Sequence, residues 1–213
     1  VLCEKPVAIT SAEAAEMVKV AEQTGVANAV NHNLRYYPVV QHIRQMIAAG
    51  ELGDVLIVQG TYSQDWLLYD TDYNWRVLAA EGGELRAVAD IGTHWLDLVH
   101  SITGLEVEAV CADLLTVHPV RRRPKGEVET YSGKLSQEAD LEPVDVTTED
   151  YGAILLRFKG GARGTLVVSQ VTAGRKNCLR LEIYGSVKSA WWCSEEPETL
   201  RFGNREGANE VAV

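Results

Sequence analysis

The run "ILLRFKGGARGTLVVSQV", residues 154–171, decides the fold. Two stretches rich in branched and aliphatic residues flank Gly160-Gly161, a pair with the backbone freedom a tight turn requires, so the run reads as an antiparallel hairpin. Neighbouring runs at 105–117, 148–158, 162–173, 177–184 and 187–193 also have strand character, with no helical period between them. Long strands joined by hairpin turns build a large, open, mostly antiparallel sheet. Apolar residues occupy both alternation phases, Ile154 and Leu156 in one and Ala153 and Leu155 in the other. Such a sheet needs cover on both faces. Helices can take one face, and the sheet of a second copy is the expected cover for the other. The stretch 118–147, polar and broken by Pro and Gly, reads as a long loop. Its basic run "RRRPK", 121–125, reads as solvated, with a contact to an anionic ligand as the lesser reading.

Upstream the pattern changes. In "PVVQHIRQMIAAG", 38–50, Pro38 suits the first position of a helix, Val39, Ile43 and Met46/Ile47 form the buried stripe, and Gly50 ends it. "TSAEAAEMVKVAEQT", 10–24, is a second helix, with Thr10 and Glu13 in capping-box spacing, Ala14, Val18 and Ala21 on one face, and Gly25 as its stop. Strand-like "VLCEKP" precedes it and "VANAVNHN" follows, so the first thirty-odd residues form a βαβ unit with parallel strands. A boundary near 33–38 divides the chain into 1–35 and 36–213.

The 213 residues carry 20 basic and 30 acidic side chains, a net charge of −10, which disfavours contact with a phosphate backbone. No apolar run approaches the roughly 18 residues of a membrane span. Cys3, Cys111, Cys178 and Cys193 are scattered without Cys-x-x-Cys spacing, which suits reduced thiols in a cytoplasmic protein and suggests no metal site.

Three stretches offer chemistry. In "ADIGTHWLDL", 89–98, a helix would place Asp90, His94 and Asp97 on one stripe beside an apolar stripe of Ile91, Trp95, Leu98 and Ile102. A carboxylate one turn from an imidazole can orient it and raise its pKa, as a proton shuttle requires; a satisfied core histidine fits the same pattern. Asp-x-x-x-His supplies too few ligands for a metal. "CEKP" ends a strand at the edge where parallel sheets bind ligands, yet Lys5 could equally be a surface residue beside a turn. "NHNLRYYP", 31–38, ends the next strand on that edge, and "NWR", 74–76, lies in the irregular stretch 64–88.

Taken together and in order, Glu4-Lys5-Pro6 after a strand, "NHNLRYYP", "GDV" opening a strand and "GGELRAVADIGTHWLDLVHSITG" resemble the Gfo/Idh/MocA family of NAD(P)-dependent oxidoreductases over about residues 1–185. The resemblance implies an α+β fold preceded by a trailing βαβ remnant of a Rossmann-type parallel sheet. It implies NAD or NADP as cofactor and a sugar, cyclitol or related polyol as substrate. Lys5, Asp90 and His94 become the catalytic residues, with His94 as acid/base. Glu4, Lys5 and Pro6 face the cofactor, and Arg35, Tyr36, Trp75 and Arg76 the substrate. The chain has no Gly-x-Gly-x-x-Gly loop and no ribose-reading acid, so the resemblance further implies a fragment, preceded in its parent by about 100 or more residues of nucleotide domain and weak or inactive alone.

Overall fold

A computed structural model describes residues 1–125 and 141–212. The hairpin forms as its sequence indicates: β7 (Tyr151–Phe158) pairs antiparallel with β8 (Arg163–Ser169), and Gly160 and Gly161 turn the chain at φ of 83° and 103°. Around it grows an eight-stranded sheet in the order β12-β11-β10-β9-β3-β8-β7-β4. Its other strands are β3 (Val55–Ser63), β4 (Val107–Leu115), β9 (Cys178–Gly185), β10 (Lys188–Cys193), β11 (Leu200–Asn204) and β12 (Glu210–Ala212). Every pairing is antiparallel except β3 with β8. The last two strands, short and next to Gly-rich or charged turns, are absent from the sequence expectation.

One face of this sheet is the core. Helices α2 (Pro38–Ala48) and α4 (Thr93–Thr103) lie against Val58 and Tyr62 of β3, Leu166 and Val168 of β8, and Leu179, Leu181 and Ile183 of β9. The buried side chains of α2 are Val40, Ile43 and Met46, with Val39 and Ile47 packed at the margin, so its stripe is centred one position from the expected one. Trp95 of α4 is fully buried, and its indole N–H donates to the Arg180 carbonyl at 3.1 Å. Gly60 makes this approach possible, because a Cβ there would stand 2.3 Å from Trp95 Nε1 and 2.1 Å from the same carbonyl.

The N-terminal strands β1 (Leu2–Cys3) and β2 (Ala29–Val30) pair in parallel as a separate small sheet, joined by α1 (Ser11–Thr24). The Thr10–Glu13 capping box and the left-handed Gly25 cap are both present. The expected inner face of α1 is not buried among the described residues, and Val18 is 57% exposed.

Two expectations are corrected. The stretch 118–147 is not simply a loop, since β5 (Val120–Pro124) and β6 (Leu141–Asp145) form an antiparallel ribbon, with 126–140 outside the described residues. Within "RRRPK", Arg121 is fully buried instead of solvated. Its guanidinium donates to Asp150 at 2.6 Å and to the carbonyls of Leu67, Tyr69 and Asp72, while Arg86, also buried, grips the same Asp150 carboxylate. Burial alone would raise the pKa of Asp150; the two guanidiniums hold it below the usual carboxylate range. A buried cation is tolerated when a carboxylate faces it and most of its donors are engaged, although Arg121 Nε and one terminal nitrogen of Arg86 have no hydrogen-bond partner among the described residues.

Candidate active site

The expected helix at 89–103 does not begin as an α-helix. Val88–Gly92 forms a π-turn, in which the Thr93 N–H reaches back to the Val88 carbonyl, and one-turn helix α3 (Ala79–Gly82) and a 3₁₀ turn at Trp75–Val77 precede it. The Glu149 carboxylate accepts the free N–H groups of Arg86 and Val88 at 2.8–2.9 Å, satisfying helix-start donors that have no partner within the helix. Insertions of this kind inside helices recur at functional sites.

Asp90 sits in this π-turn. Lys5, 85 residues earlier and just past β1, donates its Nζ to Asp90 Oδ1 at 2.8 Å and to the Asp90 carbonyl at 2.5 Å. The second carboxylate oxygen accepts from Nε2 of buried Gln170 at 2.9 Å, and Arg76 Nε stands 3.9 Å from the first. An ammonium has three donors, so Lys5 retains one for a ligand.

His94 lies one turn further along α4 and is 9% exposed. Its ring meets His32 edge-on, with centroids 5.5 Å apart, and Tyr62 at 6.2 Å. Nδ1 is buried and, among the described residues, has no hydrogen-bond partner. Burial first, then the charges of Lys5 and His32, lower its pKa to about 4, against the opposing pull of Asp90 and Asp97. The nearby carboxylates do push this pKa up, as expected, but burial and the neighbouring cations outweigh them. The Asp90 carboxylate is engaged by Lys5 and Gln170, and among the described residues no hydrogen bond joins it to His94. The imidazole is consequently neutral near pH 7, the form that accepts a proton. His32 shifts downward as well, chiefly by burial. The Tyr62 phenol, pushed up to about 12 by burial, donates to Asn177 Oδ1 at 2.8 Å.

The remaining expected residues divide. Arg76 reaches the site and its guanidinium covers the Trp75 ring at 4.5 Å. Arg35 is held in a two-bond fork by Asp97, which also lies 3.9 Å from His32 Nδ1. Tyr36 points outward at 77% exposure. Glu4 accepts from the Asn31 amide at 2.9 Å and so ties β1 to the end of β2, and Pro6, exposed, follows a cis peptide bond. Gln170 and Glu149 escaped the sequence reading because neither lies in a motif. Only the β8 register and the Gln170 N–H bond to the Asp150 carbonyl bring Gln170 to Asp90.

Residues 40–190 match the family model of the GFO/IDH/MocA C-terminal domain, so the chain belongs to the Gfo/Idh/MocA family. A levoglucosan dehydrogenase from Pseudarthrobacter phenanthrenivorans is 31% identical over 202 residues, which are 94% of this chain and 51% of that protein. An oxidoreductase domain protein from Kribbella flavida superposes with a TM-score of 0.85 at 33% identity, over 99% of this chain and 54% of its own. A levoglucosan dehydrogenase in complex with NADH and L-sorbose superposes with a TM-score of 0.85 at 28% identity, over 100% and 53%. The chain thus spans about half the length of the relatives it matches.

Proposed function

We propose that this chain is the substrate-binding and proton-handling part of an NAD- or NADP-dependent dehydrogenase that interconverts a hydroxyl and a carbonyl on a sugar, cyclitol or related polyol. The observation that carries the reading is the convergence of Lys5, Asp90 and a neutral His94 from stretches 85 residues apart. In this reading residues 1–35 belong to a dinucleotide-binding domain and 36–213 to the substrate domain. The separate β1–β2 sheet and the unburied face of α1 support that division.

A nicotinamide, when bound, supplies the hydride acceptor. The residues present fit its ring end: Lys5 has a spare donor at the strand edge, beside the imidazoles of His32 and His94. No glycine-rich phosphate loop occurs in the 213 residues. Lys5 donates to the reacting oxygen and favours its loss of a proton. His94 takes that proton on its neutral imidazole. Asp90 holds Lys5 through its carboxylate and carbonyl, and Gln170 holds Asp90. Arg76 and Trp75 line the approach of a hydroxyl-rich ligand, while Arg35 and Tyr36 act from its margin, Arg35 by fixing Asp97.

The second face of the sheet supports self-association. Leu155 and Ile57 are 59% and 48% exposed there, on the side away from α2 and α4. The net charge of −10 gives no support to a nucleic-acid partner. No described helix is long and apolar enough to cross a membrane, and four free cysteines suit the reducing cytoplasm proposed as its location.

A second reading rests on the missing phosphate loop: residues 1–213 alone form a non-catalytic, self-associating sheet domain with weak or absent cofactor binding. One assay separates the two. NAD(P) reduction is followed with a panel of sugars and cyclitols, using the chain alone and a chimaera in which the part of levoglucosan dehydrogenase that this chain does not match precedes Val1. We expect turnover only from the chimaera, falling by roughly 10²–10⁴-fold in His94→Asn. A folded chimaera without turnover on any member of the panel, or with turnover unchanged by His94→Asn, would overturn the catalytic reading. Turnover by the chain alone would overturn the second.

A further inference from the structure

The sheet face opposite His94 carries a cluster that the oxidoreductase reading leaves unused. In the β9–β10 ladder Cys193 lies opposite Arg180, and the pairing continues through the Ser194 N–H to the Leu179 carbonyl at 2.9 Å. Glu195 is therefore level with Cys178. Side chains alternate along a strand, so Cys178, Arg180, Cys193 and Glu195 share one face, while Leu179 points into the core. One donor atom from each of Cys178, Cys193 and Glu195 lies within 4.8 Å of the others.

We propose that Cys178, Cys193 and Glu195 bind one soft divalent cation of the zinc type. Two thiolates on tetrahedral arms of about 2.3 Å stand about 3.8 Å apart. The Cys178 and Cys193 sulfurs are 3.8 Å apart, with no bond between them. Cys178 is buried, Cys193 partly buried and Glu195 exposed, so the three donors leave the fourth position on the solvent side. Arg175 holds one Glu195 oxygen at 2.8 Å and leaves the other for the ion. Arg180, beside both thiols, balances the excess negative charge of two thiolates and a carboxylate around a divalent ion. Outer partners of this kind orient and tune metal ligands. The ion would fasten the turn after β10 to the start of β9, a structural role independent of catalysis. The chain spacing of the cysteines conceals the site, because the ladder, and not a local motif, brings them together.

The test uses the reduced, chelator-treated chain of residues 1–213, titrated with Co²⁺ and then, in competition, with Zn²⁺. Expected are one ion per chain, a thiolate-to-cobalt charge-transfer band that Zn²⁺ removes, and a raised thermal midpoint with Zn²⁺. Cys193→Ser should abolish the band. Glu195→Gln, an exposed change that spares the fold, should weaken Zn²⁺ binding by about tenfold or more. Glu198→Gln, on the same turn, should leave it unchanged. The proposal is overturned if the folded chain shows no charge-transfer band, if Glu195→Gln and Cys193→Ser bind as the parent does, or if the two thiols oxidise to a disulfide with peroxide while the reduced chain takes up no Co²⁺.

Discussion

His94 and Asp150 are both buried, and they handle charge in opposite ways. His94 avoids it. Its folded pKa of about 4 lies below the 6.5 of an unperturbed imidazole, so between these values the unfolded chain holds a proton that the folded chain does not. The stability contributed by this group is complete above pH 6.5 and is lost as the pH falls towards 4, with a slope approaching about 1.4 kcal/mol per pH unit. His32 adds in the same direction. Urea unfolding followed from neutral to mildly acidic pH should show this decline, and His94→Gln should flatten it. An unchanged slope in the variant would place the titration elsewhere. Asp150 instead keeps its charge, accepting from Arg86, Arg121 and the backbone N–H groups of Val117 and His118. Asp150→Ala leaves two guanidiniums buried without their carboxylate and should cost about 3–5 kcal/mol in denaturant unfolding. Asp70→Ala, which removes the exposed partner of Arg122, should change the midpoint little.

Between elements, the contact of α4 with the sheet positions the site. Trp95 can lie over β3 only because residue 60 has no side chain. Gly60→Ala should force the indole aside or push the strands apart, at a cost of about 1–3 kcal/mol or more. Denaturant unfolding with tryptophan fluorescence checks both effects, and a variant with parental stability and an unshifted emission would mean that α4 is not seated on Gly60. The π-turn at Val88–Gly92 depends on the same packing. Glu149, arriving from the segment before β7, completes its open N–H groups, and the ribbon β5–β6 is held near that segment by Arg121.

For the whole molecule, the sheet is covered on one face by α2 and α4, while Leu155, Ile57 and Trp191 line the other. Sedimentation equilibrium should show species heavier than the 23.4 kDa chain, and Leu155→Lys should shift them towards it. A single 23.4 kDa species at high concentration would remove the case for sheet-to-sheet association.

The features legible along the chain are those set by neighbouring residues. The Gly160-Gly161 hairpin, the Thr10–Glu13 capping box, Pro38 at a helix start and the period-two strands each depend on contacts within a few positions. The family motifs likewise singled out Lys5, Asp90 and His94 as neighbours of strand and helix ends. The fold alone brought Lys5 across 85 residues to Asp90, and Asp150 to Arg121 and Arg86 across 29 and 64. It also turned an imidazole expected to titrate near neutrality into one held neutral, and made "RRRPK" part of the interior at Arg121. The physical reason is common to these cases. Backbone preference is local and is encoded in adjacent side chains, whereas desolvation and charge pairing depend on which distant groups the sheet register and the helix packing place alongside.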